Sequence, residues 1–244
     1  MPPRSVSAKK TTRVDYIVLS LEQVTFSLAS AGFFGISLFQ FTAALFAIYT
    51  QEMFTIYNQG SDNLITPSPA TVLGNTIGSS VCLIAGSHYQ YMRTKIESNS
   101  DIVATRYSDW YITTPLMLVE FFNLAGTLNN NWVWLLLSCL SCESMIMCGH
   151  FATILKVNEF EFFYMYMASV FFYVLLLIFY VFGTIVDNEN QDIWFHFFFF
   201  FWTLYPIAFW SKTYKNIAYN ILDLYSKGIF GLLLGILTFT DVLR

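Results

Sequence analysis

Seven long apolar runs, divided by short polar links, dominate the chain. The first lies within residues 23–49, with no charge between Glu22 and Glu52. "NQGSDNLITPSP" separates it from a second run, 70–92, rich in Gly and Ser. "RTKIESNSD" leads to a third at 102–126, and "TLNNN" to a fourth at 131–153. A fifth (160–184) and a sixth (192–210) flank "DNENQD", and the seventh runs from 214 to 239. About 20 apolar residues cross a bilayer as a helix, so each run predicts one transmembrane helix. Runs this long lack the two-residue alternation of a membrane β-barrel. Links this short set successive helices antiparallel in one bundle. The expected fold class is an all-α membrane protein: a seven-transmembrane-helix bundle forming a single domain over 1–244, with a polar, basic N-terminal segment at 1–20.

Composition supports the membrane reading. The chain is 56% hydrophobic and only 11% charged, against about 25% charged in soluble domains. That excludes a soluble enzyme and makes membrane lipid the expected surroundings. The net charge of −4 is small, and nothing suggests nucleic acid. Cys82, Cys139, Cys142 and Cys148 all lie inside apolar runs. That pattern argues against a disulfide framework, and no Cys/His spacing suggests a metal. The N-terminal "MPPRSVSAKKTTR" is not followed directly by an apolar stretch of signal-peptide length.

Ionisable groups inside the runs carry the chemistry, because each is costly at bilayer depth. The third run holds "RYSDWYITTPLMLVE". At about 100° per residue, Arg106, Asp109, Thr113 and Glu120 share a stripe roughly 60° wide. Asp109 has a nearby arginine. Glu120, ~16 Å further along the axis at about 1.5 Å per residue, sits among Met117, Leu118, Val119 and Phe121 with no cation near it in sequence. Two carboxylates in opposed environments read as an acceptor and a donor of protons. Interhelical salt bridges are the blander alternative. In the seventh run, Asp223 and Lys227 stand at i and i+4 on one face. They are either a buried ion pair or a lysine used as a Schiff base, with Asp223 and Asp109 as counter-ions. Trp202 and Tyr205 of "FWTLYP" lie three apart beside Pro206, and with Trp110 they are flat side chains able to line an apolar ligand. His88 ends the apolar part of the second run, and Glu143 stands unpaired in the fourth.

Taken in order, these pieces resemble the microbial (type I) rhodopsins. "RYSDWYITTPL" followed by Glu120 is similar to the third helix of the proteorhodopsin-like branch of proton pumps. "HYQYMR" is similar to that branch's second helix and "NIAYNILDLYSKGIFGL" to its seventh. The resemblance implies all-trans retinal bound as a Schiff base to Lys227. It implies Asp109 as primary counter-ion and proton acceptor, Asp223 as second counter-ion, and Glu120 as proton donor. By the same resemblance His88 partners the acceptor, Arg106 organises water between the carboxylates, and Thr113 stands beside Asp109. Tyr89 and Tyr205 bond Asp223. Trp110 and Trp202 sandwich the polyene, and Thr114, Pro206 and Phe209 complete the pocket. Met117, at a position tied to spectral tuning, implies green absorption. "SKTYKN", basic where relatives are acidic, implies late proton release.

The implied activity is light-driven proton transport rather than enzymatic turnover, in a homo-oligomer (pentamer or trimer) without metal. A sensory photoreceptor or a light-gated channel would use the same pocket. Direction follows from topology. The resemblance puts the N-terminus outside and transport outward. Arg4, Lys9, Lys10, Arg13, Arg93, Lys95, Lys156, Lys212 and Lys215 lie on the N-terminal side, with only Arg244 opposite. The positive-inside rule therefore predicts the reverse.

Overall fold

The computed structural model describes residues 13–57, 69–98, 101–154, 159–184, 192–211 and 213–242. Much of the links "NQGSDNLITPSP" and "DNENQD" lies outside the described residues, as do Arg4, Lys9, Lys10, Lys156, Lys212 and Arg244. Seven helices match the seven runs. They are α1 (Arg13–Tyr57), α2 (Pro69–Glu97), α3 (Val103–Leu124), α4 (Trp132–Ile154), α5 (Glu159–Thr184) and α6 (Asp192–Phe209). The seventh, α7, has an α-helical first part (Lys215–Asp223), a π-helical turn (Leu224–Ile229) and an α-helical last part (Phe230–Val242). Helix α1 extends well beyond its apolar stretch at both ends, into polar sequence that still forms helix.

Five of these helices are long and apolar enough to cross a membrane. Helix α3 is not among them, since Arg106, Asp109 and Glu120 dilute its apolar character. All three are buried, so α3 is polar toward the bundle and needs its neighbours to cover it. The chain is inside-out relative to a soluble protein. Leu28, Leu38 and Leu45 of α1 and Phe160, Phe171 and Phe182 of α5 point outward, while Gln40, Asn75, Asn123, Asn220, Asp223 and Lys227 are buried. That distribution suits lipid outside and a polar path within. The protein is an integral, multi-pass membrane protein.

Hydrogen bonds between helices fix the antiparallel order. Ser30 and Ser37 of α1 donate to the Gly86 and Ser79 carbonyls of α2. Asn123, near the end of α3, donates to the Ala70 carbonyl at the start of α2 at 2.6 Å. Tyr107 near the start of α3 meets Thr153 near the end of α4 at 3.1 Å, and Ser169 of α5 donates to the Met145 carbonyl of α4. The ring closes through α7, whose Asn220 donates to Thr25 of α1 at 3.0 Å. Helix α3 ends on a Schellman motif: Thr127 N–H bonds the Phe122 carbonyl and Gly126 N–H that of Asn123. Gly126 has φ +69°, where a residue without Cβ is favoured.

Candidate functional site

The site forms where α3 and α7 face each other. Asp223 is the last α-helical residue before the π-turn, and Lys227 lies inside it. A π-turn adds a residue to the helical repeat and re-aims the side chains it carries. The Lys227 amine donates to Asp109 Oδ2 at 2.7 Å and lies 3.8 Å from Asp223 Oδ2. All three side chains are essentially sealed from the surroundings, at 2%, 0% and 1% exposure. Taking such charges out of water is costly, so each needs an opposite charge within reach.

The two carboxylates have different neighbours. Asp223 is held by the Tyr89 hydroxyl at 2.6 Å, by the Tyr205 hydroxyl, and by Trp110 Nε1 at 3.1 Å. Its acceptor capacity is largely spent on fixed donors. Asp109 binds the lysine through Oδ2, whereas its buried Oδ1 has no hydrogen-bond partner. His88 Nδ1 stands 3.8 Å from that oxygen and 3.0 Å from the Ile84 carbonyl. Asp109 therefore keeps an oxygen free to take a proton.

The spacing on α3 predicts Arg106 against Asp109. The structure turns it elsewhere. Its guanidinium donates to Asn220 Oδ1 at 2.8 Å and to the Tyr89 hydroxyl at 3.3 Å, beside the rings of Phe26 and Tyr219. Helical side chains lean toward the helix start, so Arg106 reaches away from Asp109. Thr113 donates to the Asp109 backbone carbonyl at 2.8 Å, and Thr114 donates to that of Trp110.

A cavity opens from Lys227 between α3 and α7. Tyr107, Trp110 and Thr114 line it from α3, Met145 and Gly149 from α4, Tyr166, Ser169 and Tyr173 from α5, and Trp202, Tyr205, Pro206 and Phe209 from α6. Met117 is fully buried in the aromatic core but is not among the lining residues. Glu120 is 1% exposed, and its Oε1 has no hydrogen-bond partner. Glu143 lies on α4, outside this cavity, also with an unpartnered Oε1. Among the described residues no group of three His, Cys, Asp or Glu could hold a metal.

Sequence reading missed Asn220, Tyr107, Gly149, Tyr173 and the π-turn. Asn220 was legible as a polar residue three places before Asp223. The walls from α4 and α5 were not, since their residues read as ordinary core.

The family model of the bacteriorhodopsin-like proteins matches residues 75–240, from α2 through the lysine-bearing turn into the last part of α7. The chain belongs to the bacteriorhodopsin-like family. Searched against curated proteins, the sequence finds no match. Solved structures share the fold. The viral rhodopsin OLPVRII is 20% identical with a TM-score of 0.72, over 90% of this chain and 98% of that one. The blue light-absorbing proteorhodopsin from Med12 is 20% identical with a TM-score of 0.66, over 91% and 99%. The light-driven proton pump of Coccomyxa subellipsoidea is 20% identical with a TM-score of 0.66, over 94% and 99%. Members of the family bind retinal as chromophore and are pumps or sensors rather than typical enzymes. The residues of this rhodopsin fit such a group: a buried amine with two carboxylates, opening on a cavity walled by flat aromatic rings.

Proposed function

We propose that this rhodopsin is a light-driven proton pump of the proteorhodopsin-like branch. One observation carries the reading. A buried amine bonded to a carboxylate with a free oxygen shares helix α3 with a second, unpartnered carboxyl, Glu120. All-trans retinal, held as an imine on Lys227 Nζ, would supply a bond that light isomerises. Trp110, Thr114, Trp202, Pro206 and Phe209 would hold it.

The remaining steps belong to the chain. Asp109, 2.7 Å from Nζ, accepts its proton, and Oδ1 gives that proton a place to rest. His88 is close enough to steady the newly protonated acid. Asp223, gripped by Tyr89, Tyr205 and Trp110, keeps its charge and balances the site throughout. Arg106 with Asn220 and Tyr89 closes the α3 start of the path. Glu120, buried with an Oε1 that has no hydrogen-bond partner, returns a proton to Nζ from the opposite side. Transfer is vectorial because the acceptor and the donor lie at different depths.

The test is light-induced pH change in cells that carry the pigment, with and without a protonophore. A pump gives a sustained change that the protonophore collapses, and Asp109→Asn reduces it to baseline. A current that reverses with voltage would make the protein a channel, and no transport at all would leave a sensor. Glu120→Gln should slow reprotonation of Nζ by about 100-fold or more, the usual worth of a positioned general acid.

A further inference from the structure

Helix α1 carries one side chain that its apolar sequence does not explain. Gln40 is fully buried, and neither its Nε2 nor its Oε1 has a hydrogen-bond partner. A carboxamide left in that state loses its hydration without compensation. The glycines around it show that the position is built. A Cβ on Gly231 of α7 would stand 2.6 Å from Gln40 Oε1. A Cβ on Gly78 of α2 would collide with Gln40 Nε2 and would stand 2.6 Å from Glu120 Oε1. Two glycines on two helices thus keep a slot open for the carboxamide, and the Gly78 face of that slot is shared with the Glu120 carboxyl. Glu120 Oε1 is likewise unpartnered.

On the reading that Glu120 is the proton donor, we propose that Gln40 is its positioning residue. A neutral carboxyl needs an acceptor for its O–H, and a carboxylate needs donors. A carboxamide supplies both, a carbonyl and an NH₂, on one rotatable group. Gln40 therefore serves Glu120 before and after the proton leaves, with its amide turning between the two. The larger effect is on the charged form, because hydrogen bonds to ionised groups are the stronger ones. The amide lowers the barrier to donation by stabilising the carboxylate that donation leaves behind. Helix α1, which lines none of the cavity at Lys227, thereby takes part in the proton path.

The test compares Gln40→Met and Gly231→Ala with the unmodified pigment and with Glu120→Gln. Gln40→Met removes the amide at similar volume. Gly231→Ala pushes the same amide aside without contacting Glu120. Both should slow reprotonation of Nζ by roughly 10- to 100-fold, the loss expected for one hydrogen bond to a charged group. Both should also raise the infrared carbonyl stretch of the neutral Glu120 carboxyl, identified by its absence in Glu120→Gln. A change in packing alone would not move that band. If Glu120→Gln reprotonates at the unmodified rate, the donor reading fails. If Glu120→Gln is slow while Gln40→Met and Gly231→Ala keep both band and rate, the role of Gln40 alone is overturned. Should Gln40→Met yield no pigment, Gly231→Ala decides.

Discussion

Asp109 and Asp223 are the same side chain within reach of the same amine, and their neighbours separate them. Asp223 accepts from three fixed donors, whereas Asp109 accepts from the lysine and has an idle oxygen. Removing one donor tests that division. Tyr89→Phe deletes the 2.6 Å bond to Asp223 Oδ2, the oxygen 3.8 Å from Nζ. With retinal bound to Lys227 as proposed, the freed negative charge would act more strongly on the imine and hold its positive charge near the nitrogen. Absorption should move to shorter wavelength with transport retained, whereas Asp109→Asn should move it to longer wavelength with transport lost. A Tyr89→Phe spectrum that moves the same way as Asp109→Asn would refute the assignment of Asp223 as the fixed counter-charge. At this scale the sequence was informative wherever period alone decides. The Arg106–Asp109–Thr113–Glu120 stripe follows from 3.6 residues per turn, and all four are buried. The partner of Arg106 was not legible, since Asn220 is 114 positions away and only the folded bundle brings it near.

Helix existence was legible because apolar runs of bilayer length have few other solutions. The π-turn at Leu224–Ile229 was not, because no run or spacing marks it; it lies against Phe33 and Ile36 of α1, which crowd Gly228. Gln40 is illegible in the sequence for a related reason: one amide in a long apolar helix has no period to reveal it. Close packing between helices is likewise a tertiary property, and the glycines expose it. On α5, a Cβ at Gly183 would lie 2.6 Å from two atoms of the Phe122 ring and 2.8 Å from Trp134 Cβ. On α1, Gly35 has nothing within 4 Å. The same substitution should therefore have opposite effects at the two places. Gly183→Ala forces α5 away from α3 and α4, a cost of about 1–3 kcal/mol for an overpacked site. Gly35→Ala gains up to about 1 kcal/mol of helix propensity. Thermal bleaching of the pigment should come at lower temperature in the first and at equal or higher temperature in the second. Equal bleaching of both variants would mean that α5 is free to shift.

In the whole molecule, direction of transport and membrane topology become one question. Asp109 lies toward the start of α3 and Glu120 toward its end. The antiparallel order puts the start of α3 on the same side as the start of α1, as the bonds Ser30–Gly86 and Tyr89–Arg106 require. On the proposed roles, a proton passing from Glu120 to Nζ to Asp109 would therefore move toward the side that holds the N-terminus, whichever side that is. The positive-inside rule counts Lys and Arg near span ends, and nine of them fall on that side. Left to charge alone, the N-terminus would be cytoplasmic and the pump would acidify the cell. With the N-terminus outside, the same residues would acidify the medium. The two cases separate in one preparation. A protease site placed before Arg4 reports the side of the N-terminus in sealed vesicles, and a pH dye on each side reports where protons collect. Acid should appear on the side where the N-terminus is cleaved. Replacing Lys9, Lys10 and Arg13 with Glu weakens the inward bias, and in any vesicles where it flips the chain the pH change should flip with it. Acid collecting opposite the N-terminus would mean that Asp109 and Glu120 have their roles exchanged.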